Sequence, residues 1–306
     1  DEEAMATLQA DVKSSLGNVF TSVLLDAIAT ARTAAAGTPA AGTPEARMAA
    51  RWRAAQSDYE AVETRVRAWS TAGYPAHSGV ETFYHQVDDA ERAHSVATTL
   101  FNHWMGRFVR GVFDDERLPD GVWEGGNTTK IRTLRLMVEG RGAGNRNHLA
   151  SFNDATQESA FFDVLTTPEV ETSREVALRA LDDALTALRT PPRGPGDGGF
   201  GPTPMDTWYW GLRHHVNFDS IVGSFLGSND RLGMLTAAFA ISPQRFVTNG
   251  VIPAGSPLAM LPGFPRPGDQ WAVDAANSGL DGDHFTFGSG PTYRMVVALR
   301  RQSPAA

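Results

Sequence analysis

His214 and His215 lie side by side in the aromatic run WYWGLRHHVNF, and no other pair in the chain is better placed for chemistry. A neutral imidazole can take a proton, hold a metal or bond a carbonyl, and its charge changes near physiological pH. On a strand the two rings would face opposite sides. One could enter a cleft while the other meets solvent or a helix. The other reading is structural, a hydrogen-bonded histidine that orients a loop. His85, His94 and His103 are spaced by nine. On a helix of ~3.6 residues per turn, His94 points opposite to the other two; His85 and His103 lie roughly 27 Å apart at ~1.5 Å per residue. The three cannot share a metal and read as solvated or partly buried helix histidines.

Other chemistries find less support. LDGDHF suggests a calcium loop, but an EF-hand starting at Asp281 needs an acid where Thr292 stands. GRGAGN follows a predicted helix and GPGDGG sits between prolines. A phosphate-cradling loop needs a strand before and a helix after. Ser95 and Ser220 have histidines nearby in sequence, yet no Gly-x-Ser-x-Gly elbow is present. There is no cysteine, which removes disulfides, thiolate metal sites and a cysteine nucleophile.

Helical periodicity dominates the first part of the chain. Met5, Leu8, Val12, Leu16, Val19, Val23, Leu24 and Ile28 form one apolar face. Thr43-Pro44-Glu45 opens the next helix as cap, first-turn proline and favourable acid, and that helix runs to about Trp69. From Val80 to Phe113 the pattern is helical again, with a break near Asp88-Asp89. Its second half is apolar and aromatic, which predicts a central helix. Further helices are expected at Thr129–Val138 and Pro168–Arg189. TPPRGPGDGGFGPTP then interrupts, and the remainder is aromatic, β-branched and turn-rich. The sequence therefore divides into a helical region, 1–192, and a β-rich region, 193–306, and the fold class is α+β.

The 306 residues include 42% hydrophobic side chains, enough for a substantial core. The formal charge of −8 argues against nucleic acid as a partner. No window approaches ~18 uninterrupted apolar residues, so no membrane span is expected. DEEAMATLQA has no basic-then-apolar leader and reads as the first turn of a helix, which suggests a processed subunit or a fragment.

Five segments, in order, resemble the penicillin acylase (penicillin amidase) family of N-terminal-nucleophile hydrolases. They are DEEAMATLQADVKSSLGNVF, AHSVATTLFNHWMGRFVRGVFDDE, TWYWGLRHHVNF, FPRPGDQWAVDAAN and GSGPTYRMVVAL. The resemblance implies that strands at 208–218, about 271–275 and 285–299 join a four-layer αββα sandwich whose first strands precede Asp1. It implies hydrolysis of the amide between an acyl group and an amine, a β-lactam side chain or an N-acyl homoserine lactone. The serine nucleophile, its own α-amino base, the oxyanion-hole Asn and the calcium ligands would all lie outside this chain. No catalytic or metal residue is therefore assigned here. Trp210, His214 and His215 are the candidate substrate-binding residues. The implied partners are a small acyl amide, an upstream β-chain segment and an α-chain. Calcium is a potential cofactor of the complete enzyme, and the implied location is periplasmic or extracellular. Arg294, mid-strand among Met295, Val296 and Val297, is expected to pair with a carboxylate or carbonyl. The rival reading is a non-catalytic helical binding module that uses the aromatic helix 98–113 as a groove.

Overall fold

Side-chain caps decide where the helices begin. In the computed structural model, which describes residues 2–116, 127–142, 144–194, 196–218, 241–274 and 285, helix α1 spans Glu2–Gln9 and buries nothing. Helix α2 spans Ser15–Ala36, and the Ser14 hydroxyl accepts from the Gly17 N–H. The single apolar face expected from Met5 to Ile28 is thus cut in two. Ser14 caps a new helix, and Met5 and Leu8 stay exposed.

Helix α3, Pro44–Thr71, starts at the predicted Thr43 cap and bends at Ala55, where φ is −133° and ψ 26°. Helix α4, Asp89–Phe113, starts later than the periodicity suggested. Asp88 and Glu91 form a reciprocal capping box, which fixes the N-terminus there and leaves Val80–Val87 outside the helix. Helix α5 covers Asn127–Glu139. Helix α6 covers Ser173–Arg189, not Pro168–Arg189, because Thr172 and Glu175 close a second capping box; Val170 is exposed rather than part of the stripe.

Four of these helices make the core. α2 packs on α3, α4 on α6, and the pairs are joined by α2–α6 and α3–α4 contacts. An aromatic series runs through the middle: Trp69 to Phe101 at 5.3 Å, Phe101 to Trp104 at 5.7 Å, and Trp104 stacked on Phe108 at 5.1 Å. All four rings are fully buried. The Trp104 indole N–H donates to the Ala177 carbonyl at 2.9 Å, which ties α4 to α6. Gly17 is required by this packing, since a Cβ there would lie 2.6 Å from the Trp69 ring. At the α3–α6 rim Arg47 meets Glu175, Arg51 meets Asp182, and Arg189 meets Asp58. The Tyr59 hydroxyl donates to Asp182 at 2.6 Å, and burial, then this hydrogen bond, pushes its pKa up.

Among the described residues α2 is also the helix long and apolar enough to cross a bilayer, by length and composition. Its apolar face is spent inside the bundle, and its Asp26 and Arg32 make ion pairs with Arg174 and Glu63.

The strands are short antiparallel pairs: β1 (Phe152–Asn153) with β2 (Glu158–Ser159), β3 (Pro192–Gly194) with β4 (Asp197–Gly198), and β5 (His215–Val216) with β6 (Phe264–Pro265). A further short helix, α7, spans Pro243–Thr248. The fold is α+β. The strand expected at 208–218 is reduced to β5. Residues Trp210–Leu212 form a 3-10 turn instead. The backbone donors that a strand would offer to a neighbour are used elsewhere: the Trp210 N–H goes to Ser95 Oγ at 2.7 Å and the Gly211 N–H to the Ser78 carbonyl at 2.7 Å. Residues 271–274 form a turn rather than the expected strand, with Trp271 at φ 71°. Apart from Phe285, the segment 285–299 lies outside the described residues, as do Ser220, Asp281, Thr292 and Arg294, and with them the expected sandwich.

Trp104→Ala removes an inner ring of the aromatic series and the indole hydrogen bond to the Ala177 carbonyl. Loss of about 3–5 kcal/mol is expected in urea unfolding. A loss under 1 kcal/mol would show that the series does not hold α4 to α6.

Candidate functional site

The break between α1 and α2 and the loop after α3 form the floor of a docking site for the C-terminal part of the chain. Ser14 N–H donates to the Tyr74 carbonyl and Ala76 N–H to the Val12 carbonyl. Gly268 N–H then donates to Ala76 at 2.7 Å, and Asp274 N–H to Asp11 at 2.8 Å. These backbone bonds bring Asp269 against α4. Its side chain is completely buried. Oδ2 accepts from the Ser14 hydroxyl at 2.5 Å and from Asn102 Nδ2 at 3.3 Å. Oδ1 has no partner among the described residues. Burial pushes the carboxyl up to about 6, against the lowering effect of its two side-chain donors. An unpaired oxygen in a dry site favours the protonated form.

Trp210, His214 and His215 lie beside this clamp. Trp210 donates from its indole to the Gly268 carbonyl at 2.7 Å. His214 stacks on Trp210, with ring centres 4.9 Å apart. Its Nδ1 lies 2.6 Å from the Phe285 carbonyl, which makes Nδ1 the protonated nitrogen. The Phe285 ring meets both Trp210, at 5.1 Å, and His103, at 4.6 Å. Burial lowers the His214 pKa to about 4, so the ring is neutral at physiological pH. His215 is paired with Asn217 Oδ1 at 3.1 Å, and burial lowers its pKa as well. Gly196 lies against the ring; with φ at 74°, a Cβ there would sit 2.2 Å from Nε2. Both imidazoles are thus inside, not divided between a cleft and solvent, and none of the three residues lines the main cavities.

A cleft of about 420 Å³ opens next to this cluster, between the loop before α4 and Pro265–Pro267. Glu91 holds its inner edge. It caps α4, and its carboxylate meets His85 Nε2 at 3.1 Å and His77 Nδ1 at 3.4 Å. His77 stacks on His94 at 5.5 Å. Burial lowers the pKa of both His77 and His94. His85 is therefore a loop residue before α4, and the helical spacing argued for His85, His94 and His103 applies only to the last two. His103 is buried rather than solvated. Among the described residues no group of three or more histidines and acids is arranged to hold a metal.

Sequence reasoning missed Ser14, Asn102 and Asp269. The available signals were faint: a polar Asn102 inside an otherwise apolar helix stripe, and a serine just before a helix.

These features define an α+β protein whose C-terminal segments are locked by buried hydrogen bonds onto a helical core. A family model for penicillin amidase matches residues 1–306, and the chain belongs to that family. Its members are hydrolases of the N-terminal-nucleophile class, and acyl-amide hydrolysis is the activity the family carries. No curated protein and no solved structure matches the chain.

Asp269 holds its proton more tightly when folded, near 6, than at its ordinary value of 3.8. The native state therefore binds more protons across that interval, and this group's contribution to stability falls as pH rises through it. Asp269→Asn keeps the shape of the protonated form. The substitution is expected to match wild type at pH 4 and to exceed it by on the order of 2 kcal/mol at pH 8. Destabilisation by Asp269→Asn at pH 8 would contradict a folded state that holds the Asp269 proton more tightly than the unfolded chain does.

Proposed function

We propose that this chain is the scaffold portion of an acylase that hydrolyses the amide between an acyl group and an amine through a covalent acyl-enzyme. The match over residues 1–306 carries this reading. The nucleophile is assigned to polypeptide outside these residues. A serine hydroxyl attacks only when a base takes its proton, and the oxyanion then needs fixed donors. The described serines closest to that description support the assignment. Ser14 donates to Asp269, and Ser95 donates to the Ser78 carbonyl while accepting from Trp210, so both are fully engaged in the interior.

Trp210, His214 and His215 act in this reading as the rear support of a substrate wall. Their burial keeps the imidazoles neutral and the stack rigid, which suits holding an apolar acyl group better than moving protons. The substrate classes are a β-lactam side chain and an N-acyl homoserine lactone. An upstream β-chain segment and an α-chain complete the enzyme, in the periplasm or outside the cell.

The test is co-production of this chain with the polypeptide encoded immediately upstream, followed by assay of N-acyl amines of both classes for released amine. Amine release is expected from at least one class. A folded, processed complex that releases none from any N-acyl amine would overturn the reading.

A further inference from the structure

We propose that the cleft enclosed by α2, α5, α6 and the β1–β2 hairpin binds a small amphiphilic monocarboxylate. The cleft measures about 640 Å³. Arg135, Arg141, Arg146 and Arg174 line it together with Asp26, Glu139 and Glu158, so its walls carry one net positive charge.

The acids are already engaged. Glu158 accepts from the Ser173 N–H at 2.6 Å and from the Ser173 hydroxyl at 2.8 Å. Asp26 takes Arg174 at 2.8 Å, and Glu139 takes Arg135 at 2.7 Å. Two arginines are left with mostly neutral partners. Arg141 donates to the Val138 carbonyl and the Ser173 hydroxyl, and its nearest carboxylate, Asp26, is 3.5 Å away and shared. Burial, and then the neighbouring Arg174, lower the Arg141 pKa, as expected of an under-compensated charge. Arg146 donates to the Glu139 carbonyl. These bonds cap the C-terminal end of α5, which explains why the arginines are held in place but not what balances them. Guanidinium groups held in this way are suited to donate to both oxygens of a carboxylate.

The second half of the ligand follows from the neighbouring cavity. A groove of about 350 Å³ shares Val19, Phe20 and Arg135 with the cleft and continues past Leu16, Ile131 and Trp271. A hydrocarbon tail along that groove leaves its carboxylate among the arginines. Hydrolysis of an acyl amide releases a carboxylic acid of this kind, so the site suits the released acid; that link rests on the function proposed above, whereas the site itself does not.

Sodium octanoate titrated into the 306-residue protein is the direct probe, read by calorimetry and by the rise in Tm, with octylammonium and inorganic phosphate as comparators. Saturable octanoate binding is expected, with octylammonium silent and phosphate weaker. Arg146→Gln and Arg135→Gln should each weaken octanoate about ten-fold, measured on variants whose folding is confirmed by a cooperative melt. Val19→Glu, which puts a like charge at the junction, should abolish binding. Absence of saturable octanoate binding to the wild-type protein would overturn the proposal. So would equal binding of octylammonium or phosphate, or unchanged affinity in both arginine variants. Turnover is not read, so failed hydrolysis leaves this site standing, and failed binding leaves the hydrolysis standing.

Discussion

The hydrogen bond between Ser14 and Asp269 joins residues that are 255 positions apart, and the arrangement of the C-terminal segments depends on it. Ser14 performs two jobs with one hydroxyl. It accepts from Gly17 to start α2 and donates to Asp269 to receive the distant chain. Asn102 supplies the second donor from the centre of α4. A carboxyl group is costly to bury without partners, so this one position selects a single docked arrangement of Gly268–Asp274 over many that would satisfy apolar burial equally well.

Burial around this clamp disfavours charge on its titratable side chains. Asp269 is held toward its acid form, and His214 and His215 toward their neutral forms, by burial in each case. The solution at the α3–α6 rim is the opposite one. There the fixed ion pairs Arg47–Glu175, Arg51–Asp182 and Arg189–Asp58 sit where solvent reaches at least one partner. The difference follows from dielectric cost: ion pairs persist at a wet edge, whereas a dry contact is better served by neutral donors and acceptors. It also separates two roles within the chain, with ion pairs at the perimeter that fasten the helices and buried hydrogen bonds at the centre that fasten the later segments to them.

The helical core could be read from the sequence because its information is local. Thr43-Pro44-Glu45 announces α3, and the aromatic stripe from Phe101 to Phe108 announces a central helix. Periodicity alone misplaces a start where a cap outweighs it, as at Thr172, whereas the break read near Asp88-Asp89 is where the Asp88 cap begins α4. The run from Trp208 to Val216 has strand-like composition, yet Ser95 and Ser78 take the backbone donors of Trp210 and Gly211 and turn the chain. Such a competition between distant residues leaves no mark in a short window. The same holds for Asp269. As a residue type it is unremarked, and its importance lies in what Ser14 and Asn102 bring to it.

Native-state hydrogen exchange tests the claim that this clamp makes the docked C-terminal segment part of one cooperative unit. The amides of Gly268 and Asp274, bonded to Ala76 and Asp11, should open with the same free energy as the central amides of α4 around Phe101 and Trp104. Exchange of Gly268 and Asp274 at a free energy far below that of α4 would show a segment that opens on its own, and would contradict the account.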